Sequence, residues 1–84
     1  MYYIYWIIDR KNKKTYVGHT DNIERRVKEH KNKTTQSTRF FEEFEIHILE
    51  EIRERNEARQ REKYWKSAAG RKKLKILYNI GPIV

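Results

Sequence analysis

The sequence contains no cysteine. That removes disulfide bridges, a thiol nucleophile and any zinc site built on thiolates. It has one proline and three glycines, too few for a Pro/Gly-rich linker between two domains. No stretch approaches the ~18 consecutive apolar residues of a membrane span. The opening MYYIYWII has neither a basic leader nor a small-residue cleavage site. The expectation is a single domain over residues 1–84, intracellular (cytoplasmic or nucleoid-associated) and without a membrane partner. Phosphate-cradling glycine loops and a G-x-S-x-G elbow are missing too. The three histidines, His19, His30 and His47, stand at no finger-like spacing.

What the chain has is charge and aromatic rings. Charged residues make up 38% and aromatics 13%; the aromatics and regular apolar stretches argue for a folded chain with a thin core. Twenty Lys and Arg against twelve Asp and Glu leave a net charge of +8, which points to a polyanionic partner, nucleic acid first. The charge is segregated. Residues 10–33 and 53–75 are basic, whereas Glu42, Glu43, Glu45, Glu50 and Glu51 fall in a stretch, 40–52, without Lys or Arg. Two basic segments around an acidic one suggest a folded object with a positive face. Lys31–Thr38 (KNKTTQST) reads as a cationic surface loop.

The local patterns predict an α+β fold in the order β-β-α-β-α-α, a small three-stranded antiparallel sheet flanked by helices. Tyr2–Ile8 is apolar on both alternating sets, as a covered central strand requires. Asp9–Lys14 reads as a hairpin turn and Thr15–Gly18 as a short return strand. Asp21 followed by Glu24 resembles a capping box, predicting a helix from about Asn22 to Lys31 with Ile23 and Val27 inward. Phe44–Leu49 alternates as a third strand. Asn56 is expected to cap a helix through about Ser67, closed near Gly70, with a short helix over Arg71–Tyr78 after it.

Three features suggest a site. In the second helix Ala58, Glu62, Trp65 and Ala69 share one face at ~100° per residue, and a carboxylate on that apolar stripe must be paired, protonated or bound to a cation. In the first helix Arg26 and His30 are neighbours at i, i+4. Tyr5 and Tyr16 lie on the two hairpin strands, and Gly18 allows a close backbone approach. His47 alternates with Ile46 and Ile48 and reads as structural.

Tyr3-Ile4-Tyr5, ten intervening residues, and Tyr16-Val17-Gly18 resemble the signature of the GIY-YIG nucleases, with Tyr3 where the family name has Gly. Gly18–Ile23, Arg26 and His30 are similar to that family's first helix, and Glu62 and Asn79 to its later polar residues. The likeness spans roughly residues 1–80. It implies metal-assisted hydrolysis of a DNA phosphodiester, with Mg²⁺ or Mn²⁺ held by Glu62 and Arg26 on the scissile phosphate. Tyr5 would stand on the base side, relaying to His30, and Tyr16 would orient water or phosphate. The residues alone leave the two tyrosines' roles exchangeable. A tyrosine serves as a base only if nearby cations lower its pKa. His19, Arg59, Lys72 and Asn79 are the expected substrate contacts, although Asn79 also suits a turn before Gly81-Pro82. A targeting domain or partner protein would come from outside this chain. The competing readings are a catalytically inactive nucleic-acid-binding module of the same fold and a basic protein of a ribonucleoprotein particle.

Overall fold

A computed structural model describes residues 1–32, 41 and 43–80. The elements are β1 (Tyr2–Asp9), β2 (Lys14–Thr20), α1 (Ile23–Lys31), β3 (Glu45–Ile52), α2 (Arg55–Lys66) and α3 (Ala68–Ile80). The sheet is antiparallel in the order β2-β1-β3, so the fold is the expected α+β. β1 is central because it alone is apolar on both faces, and Ile4 to Ile8 are each no more than 1% exposed. Ile4, Trp6 and Ile8 pack with Val17, Ile52, Ala58, Trp65 and Leu74, so α2 and α3 cover that face. Each Ile, Val or Leu among them contributes ~1.5–3 kcal/mol by leaving water. Tyr5 projects to the opposite face, toward α1. The expected loop over Lys31–Thr38 lies, from residue 33 onward, outside the described residues.

The hairpin turn is held by Asp9, which is wholly buried. Its carboxylate accepts hydrogen bonds from the Asn12 backbone N–H (3.2 Å) and from Asn12 Nδ2 (2.9 Å). The next residue, Lys13, adopts φ 56°, the left-handed conformation that costs a side-chain-bearing residue ~1–2 kcal/mol. β2 runs to Thr20 and not only to Gly18. The ladder continues from Tyr5↔Gly18 through Ile4↔His19 to Tyr3↔Thr20, which makes His19 a strand residue.

Several boundaries differ from the expectation. Asn22, not Asp21, caps α1: it is extended and its side chain accepts from Arg25 N–H at 3.0 Å. Asp21 instead meets the Arg25 guanidinium at 3.3 Å. Ile23 and Val27 are only half-buried, and the buried residue of α1 is His30. β3 starts at Glu45 and extends to Ile52, with a register shift between Ile4↔Glu50 and Tyr5↔Ile48. The extra residue is a bulge. It lets Leu49 pack on the core while Glu50 bonds Arg61 Nε (2.8 Å) and Trp65 Nε1 (2.6 Å) of α2, and it leaves Ile48 43% exposed.

α2 begins two residues earlier than a cap at Asn56 would allow. Ala58 N–H already bonds the Glu54 carbonyl at 3.0 Å, and Glu54 is the cap residue, without a side-chain cap bond. At the other end Ser67 separates α2 from α3 and serves both. Its N–H reaches the Tyr64 carbonyl (3.0 Å), and its Oγ accepts from Gly70 N–H (3.5 Å). Gly70 therefore lies in the first turn of α3 rather than closing α2. A Cβ there would sit 2.4 Å from Trp65 Cα and from the Tyr64 carbonyl oxygen, so only glycine permits this corner. Ala69 consequently belongs to α3 and is exposed, and the core-facing side of α2 is the buried Ala58 and Trp65 with Tyr64 packed partly beside them.

Candidate functional site

The residues on the α1 face form a directional chain of hydrogen bonds. Arg26 Nε donates to the Tyr5 hydroxyl oxygen at 3.2 Å, and the same hydroxyl lies 3.1 Å from His30 Nε2. Arg26 only donates, so the Tyr5 oxygen accepts from it; with the His30 ring proton on Nδ1, the Tyr5 hydroxyl donates to Nε2. Burial, reinforced by the Arg26 charge, lowers the His30 pKa below its ordinary 6.5, which keeps the ring neutral near pH 7. Arg26 is held still more firmly protonated by its bond to Tyr5. It also meets Glu29 at 3.3 Å.

The chemistry of Tyr5 differs from the expectation that neighbouring cations lower its pKa. Burial pushes Tyr5 up to about 12, and the Arg26 hydrogen bond only partly offsets it. The nearby Tyr16 hydroxyl and Glu62 carboxylate push the same way. Tyr5 is therefore a neutral phenol at physiological pH, able to pass a proton along but not to store a negative charge.

Gly18 explains how a buried tyrosine reaches this position. A Cβ on Gly18 would lie 2.5 Å from the Tyr5 hydroxyl oxygen and 2.9 Å from Tyr16 Cε2. The missing side chain is the space in which the two rings, 6.2 Å apart, approach the β2 backbone. His30 packs against both rings, at 5.5 and 5.8 Å, and edge-on to Phe44 at 6.4 Å. The polar side chain of α1 is the buried one because Tyr5 provides its partner.

Glu62 stands on the other side of edge strand β2. One carboxylate oxygen is 2.8 Å from His19 Nδ1 and the other 3.4 Å from Lys66 Nζ. Its side chain is 22% exposed, so it lies at the rim of the α2 stripe and not on a core-facing position. Lys66 ties the halves together, its ammonium 5.4 Å from the Tyr16 ring centre. His19 is the wall shared by two grooves. One, of about 550 Å³, is lined by Arg59, Glu62, Lys63 and Lys66; the other, of about 450 Å³, by Arg25, Arg26 and Arg55.

Seven of the nine expected site residues, Tyr5, Tyr16, His19, Arg26, His30, Arg59 and Glu62, thus gather about the β2 edge. Two do not. Lys72 is exposed on α3 and lines neither groove. Asn79 is exposed in the last turn of α3, beside Tyr78, whose carbonyl accepts from Arg10 Nη1. Arg10 is five residues beyond Tyr5, ~16 Å along the sheet at ~3.3 Å per residue. Sequence reasoning passed over Lys66, Glu29, Arg25 and Arg55. The i, i+4 spacing of Glu62 and Lys66 and the i, i+3 spacing of Arg26 and Glu29 were the available signals.

The family model for the GIY-YIG catalytic domain matches residues 1–75. The chain belongs to the GIY-YIG family. Comparison with curated proteins and with solved structures gives no match. GIY-YIG proteins are nucleases that act on DNA, and the two halves of the family's signature are here neighbouring strands, with Tyr5 facing Gly18. Among the described residues no helix is long and apolar enough to cross a membrane, and no group of three or more His, Asp or Glu residues could cage a metal. The GIY-YIG site fits a hard divalent ion nonetheless. Such an ion needs one or two protein carboxylates and otherwise keeps water or phosphate oxygens; Glu62 opens onto a groove with room for both.

Proposed function

We propose that this chain is a divalent-metal-dependent DNA endonuclease that nicks one strand at a time with low intrinsic sequence specificity. The observation that carries the reading is the Arg26–Tyr5–His30 chain, which ends in a neutral proton acceptor and begins with a permanent cation. Water attacking a phosphodiester must lose a proton while charge grows on the non-bridging oxygens. Tyr5 is buried in the free chain, so water would reach it only once bound DNA opens the site; Tyr5 would then accept the water's proton as it passes its own to His30 Nε2, and no phenolate need exist at neutral pH. Arg26 holds the phosphate through guanidinium donors not used on Tyr5. Tyr16, across the Gly18 gap, orients water or phosphate. Glu62 would hold Mg²⁺ or Mn²⁺, which when bound supplies Lewis-acid stabilisation of the phosphoryl charge and leaving oxygen.

His19 and Lys66 pair with the two Glu62 oxygens and would be free to meet phosphate were Glu62 to hold an ion. Arg59 continues that cationic wall. The reading as a binding module without catalysis draws on the same engagement of both Glu62 oxygens, and plasmid nicking separates the two. The parent chain should nick in Mg²⁺ or Mn²⁺ and not in EDTA. Glu62→Gln should abolish nicking while binding in EDTA is kept or strengthened. Nicking by the Gln variant within ~10-fold of the parent, ~1.4 kcal/mol, would be too small a loss for the sole protein carboxylate on the metal.

A further inference from the structure

Three arginines from two helices line the groove of about 450 Å³ beside His19: Arg25 and Arg26 of α1 and Arg55, the first residue of α2. Like charges gathered in one groove repel unless acids or a bound anion lie between them. Two acids do part of this. Glu29 meets Arg25 Nε with one carboxylate oxygen (3.4 Å) and Arg26 Nη1 with the other (3.3 Å), which holds the two guanidiniums side by side. Asp21 takes Arg25 Nη2 at 3.3 Å, and the Tyr5 hydroxyl takes Arg26 Nε. Among the described residues, Arg25 Nη1, Arg26 Nη2 and the whole Arg55 guanidinium have no acceptor. Three cations against two carboxylates leave one positive charge over, and it is that of Arg55. The groove is matched to one negative charge.

We propose that this groove is a second phosphate subsite, in which Arg55 and Arg25 hold the internal phosphodiester next to the one on Arg26. An internal phosphodiester carries a single charge, which the surplus balances, whereas a phosphate monoester at a strand end approaches about −2. The groove across His19 is the poorer host without metal. Its Lys66 and His19 already face the Glu62 carboxylate, and that carboxylate repels phosphate. One phosphate contact leaves a strand free to pivot, and two in succession fix its line across the site. This inference rests on the nuclease reading for the phosphate on Arg26 and adds the residues that grip its neighbour.

The test titrates the intact chain, in EDTA at low salt, with a thymidine dinucleotide, which has one phosphate, and the trinucleotide, which has two. Arginine Nε–Hε resonances report which side chains each ligand reaches. The trinucleotide should move Arg25, Arg26 and Arg55 together. It should also bind ~10-fold tighter than the dinucleotide, the lower end of what a charge-assisted hydrogen bond contributes. Arg55→Ala should cut that gain to about twofold, which two equivalent phosphates at one site give by statistics alone. Arg55 is exposed at a helix start, so the variant should keep the Tm of the parent. Lys72→Ala removes the same charge from a position outside both grooves and should leave the gain intact. A parent gain of only about twofold, or a larger gain that survives Arg55→Ala, overturns the subsite even if the chain nicks. A gain that depends on Arg55 in a chain that never nicks removes the nuclease reading and leaves the subsite standing.

Discussion

Tyr5 works by staying protonated. Burial raises its pKa to about 12, so on the proposed mechanism its hydroxyl would be a conduit between the attacking water and His30. Tyr5→Phe keeps the ring and its packing, and should preserve the fold while removing cleavage; NMR titration should show the resonance that ionises near 12 disappearing with it. Arg26→Ala should lower the rate by ~10² to 10³, the usual cost of losing one transition-state donor. Unfolding of the Phe variant, or normal nicking by it, would place Tyr5 in the core alone. His30 sets the pH dependence. Its pKa is lowered from 6.5, and it accepts a proton only when neutral, so activity should rise with pH and level off with a midpoint below 6.5. The unfolded chain takes up that proton at the ordinary value. The stability contributed by neutral His30 is therefore full above 6.5 and lost as pH falls through the lowered folded value. A kcat/KM profile and parallel denaturant melts check both signs, and a midpoint above 6.5 contradicts the relay.

At the scale of elements, the sequence shows where helices and strands are and is less informative about how they begin and end. β1 was legible because Tyr2–Ile8 is apolar on both faces, and its partner hairpin because the polar run Asp9–Lys14 interrupts two apolar ones. The caps were not. Asp21 and Asn22 are both good N-cap residues, and only the backbone chooses: Asn22 is the extended one. Asn22→Ala should therefore destabilise by ~1 kcal/mol, whereas Asp21→Ala, losing an exposed ion pair with Arg25, should cost much less; urea melts of the two variants decide it. The Ser67 corner was hidden for a different reason. Gly70 looks like a helix terminator in one dimension, and its need for close approach to Trp65 exists only once α2 and α3 cross. The bulge in β3 likewise depends on β1 as partner, which no local pattern in Phe44–Leu49 encodes. The gathering of Tyr5, Tyr16, Arg26, His30 and Glu62 was more legible than these boundaries, since Tyr5 and His30 are polar groups at buried positions where packing alone would favour apolar ones and the other three follow from their spacing along the hairpin and helices. Asn79 and Lys72 were misplaced because α3 is longer than Arg71–Tyr78 and ends beside Arg10.

At the scale of the whole molecule, one Glu62 and one Arg26–His30 pair address one phosphate at a time. On the proposed reading the basic grooves would contact the backbone, which carries no direct sequence information, and the helices are committed to covering the sheet. Supercoiled plasmid should accordingly pass to open circles well before linear molecules, with nicks in fully paired DNA scattered when mapped by sequencing. Affinity should fall ~10³ between low and physiological salt if about six phosphates are contacted. One dominant double-strand break would contradict this and point to paired subunits with a base-reading surface.

The position of the site on β2 has one more consequence. Among the described residues β2 is an edge strand, paired to β1 on one side with no further strand on the other, and an open edge is also where two sheets can join. Such joining would cover His19 and the grooves, so self-association through β2 and access of DNA exclude each other. The net charge of +8 keeps copies apart at low ionic strength, and added salt screens that repulsion. Salt therefore acts twice, loosening the substrate's hold while lowering the barrier to an inactive pairing. In concentrated protein, DNA bound as proposed would double as the solubiliser of the edge it occupies.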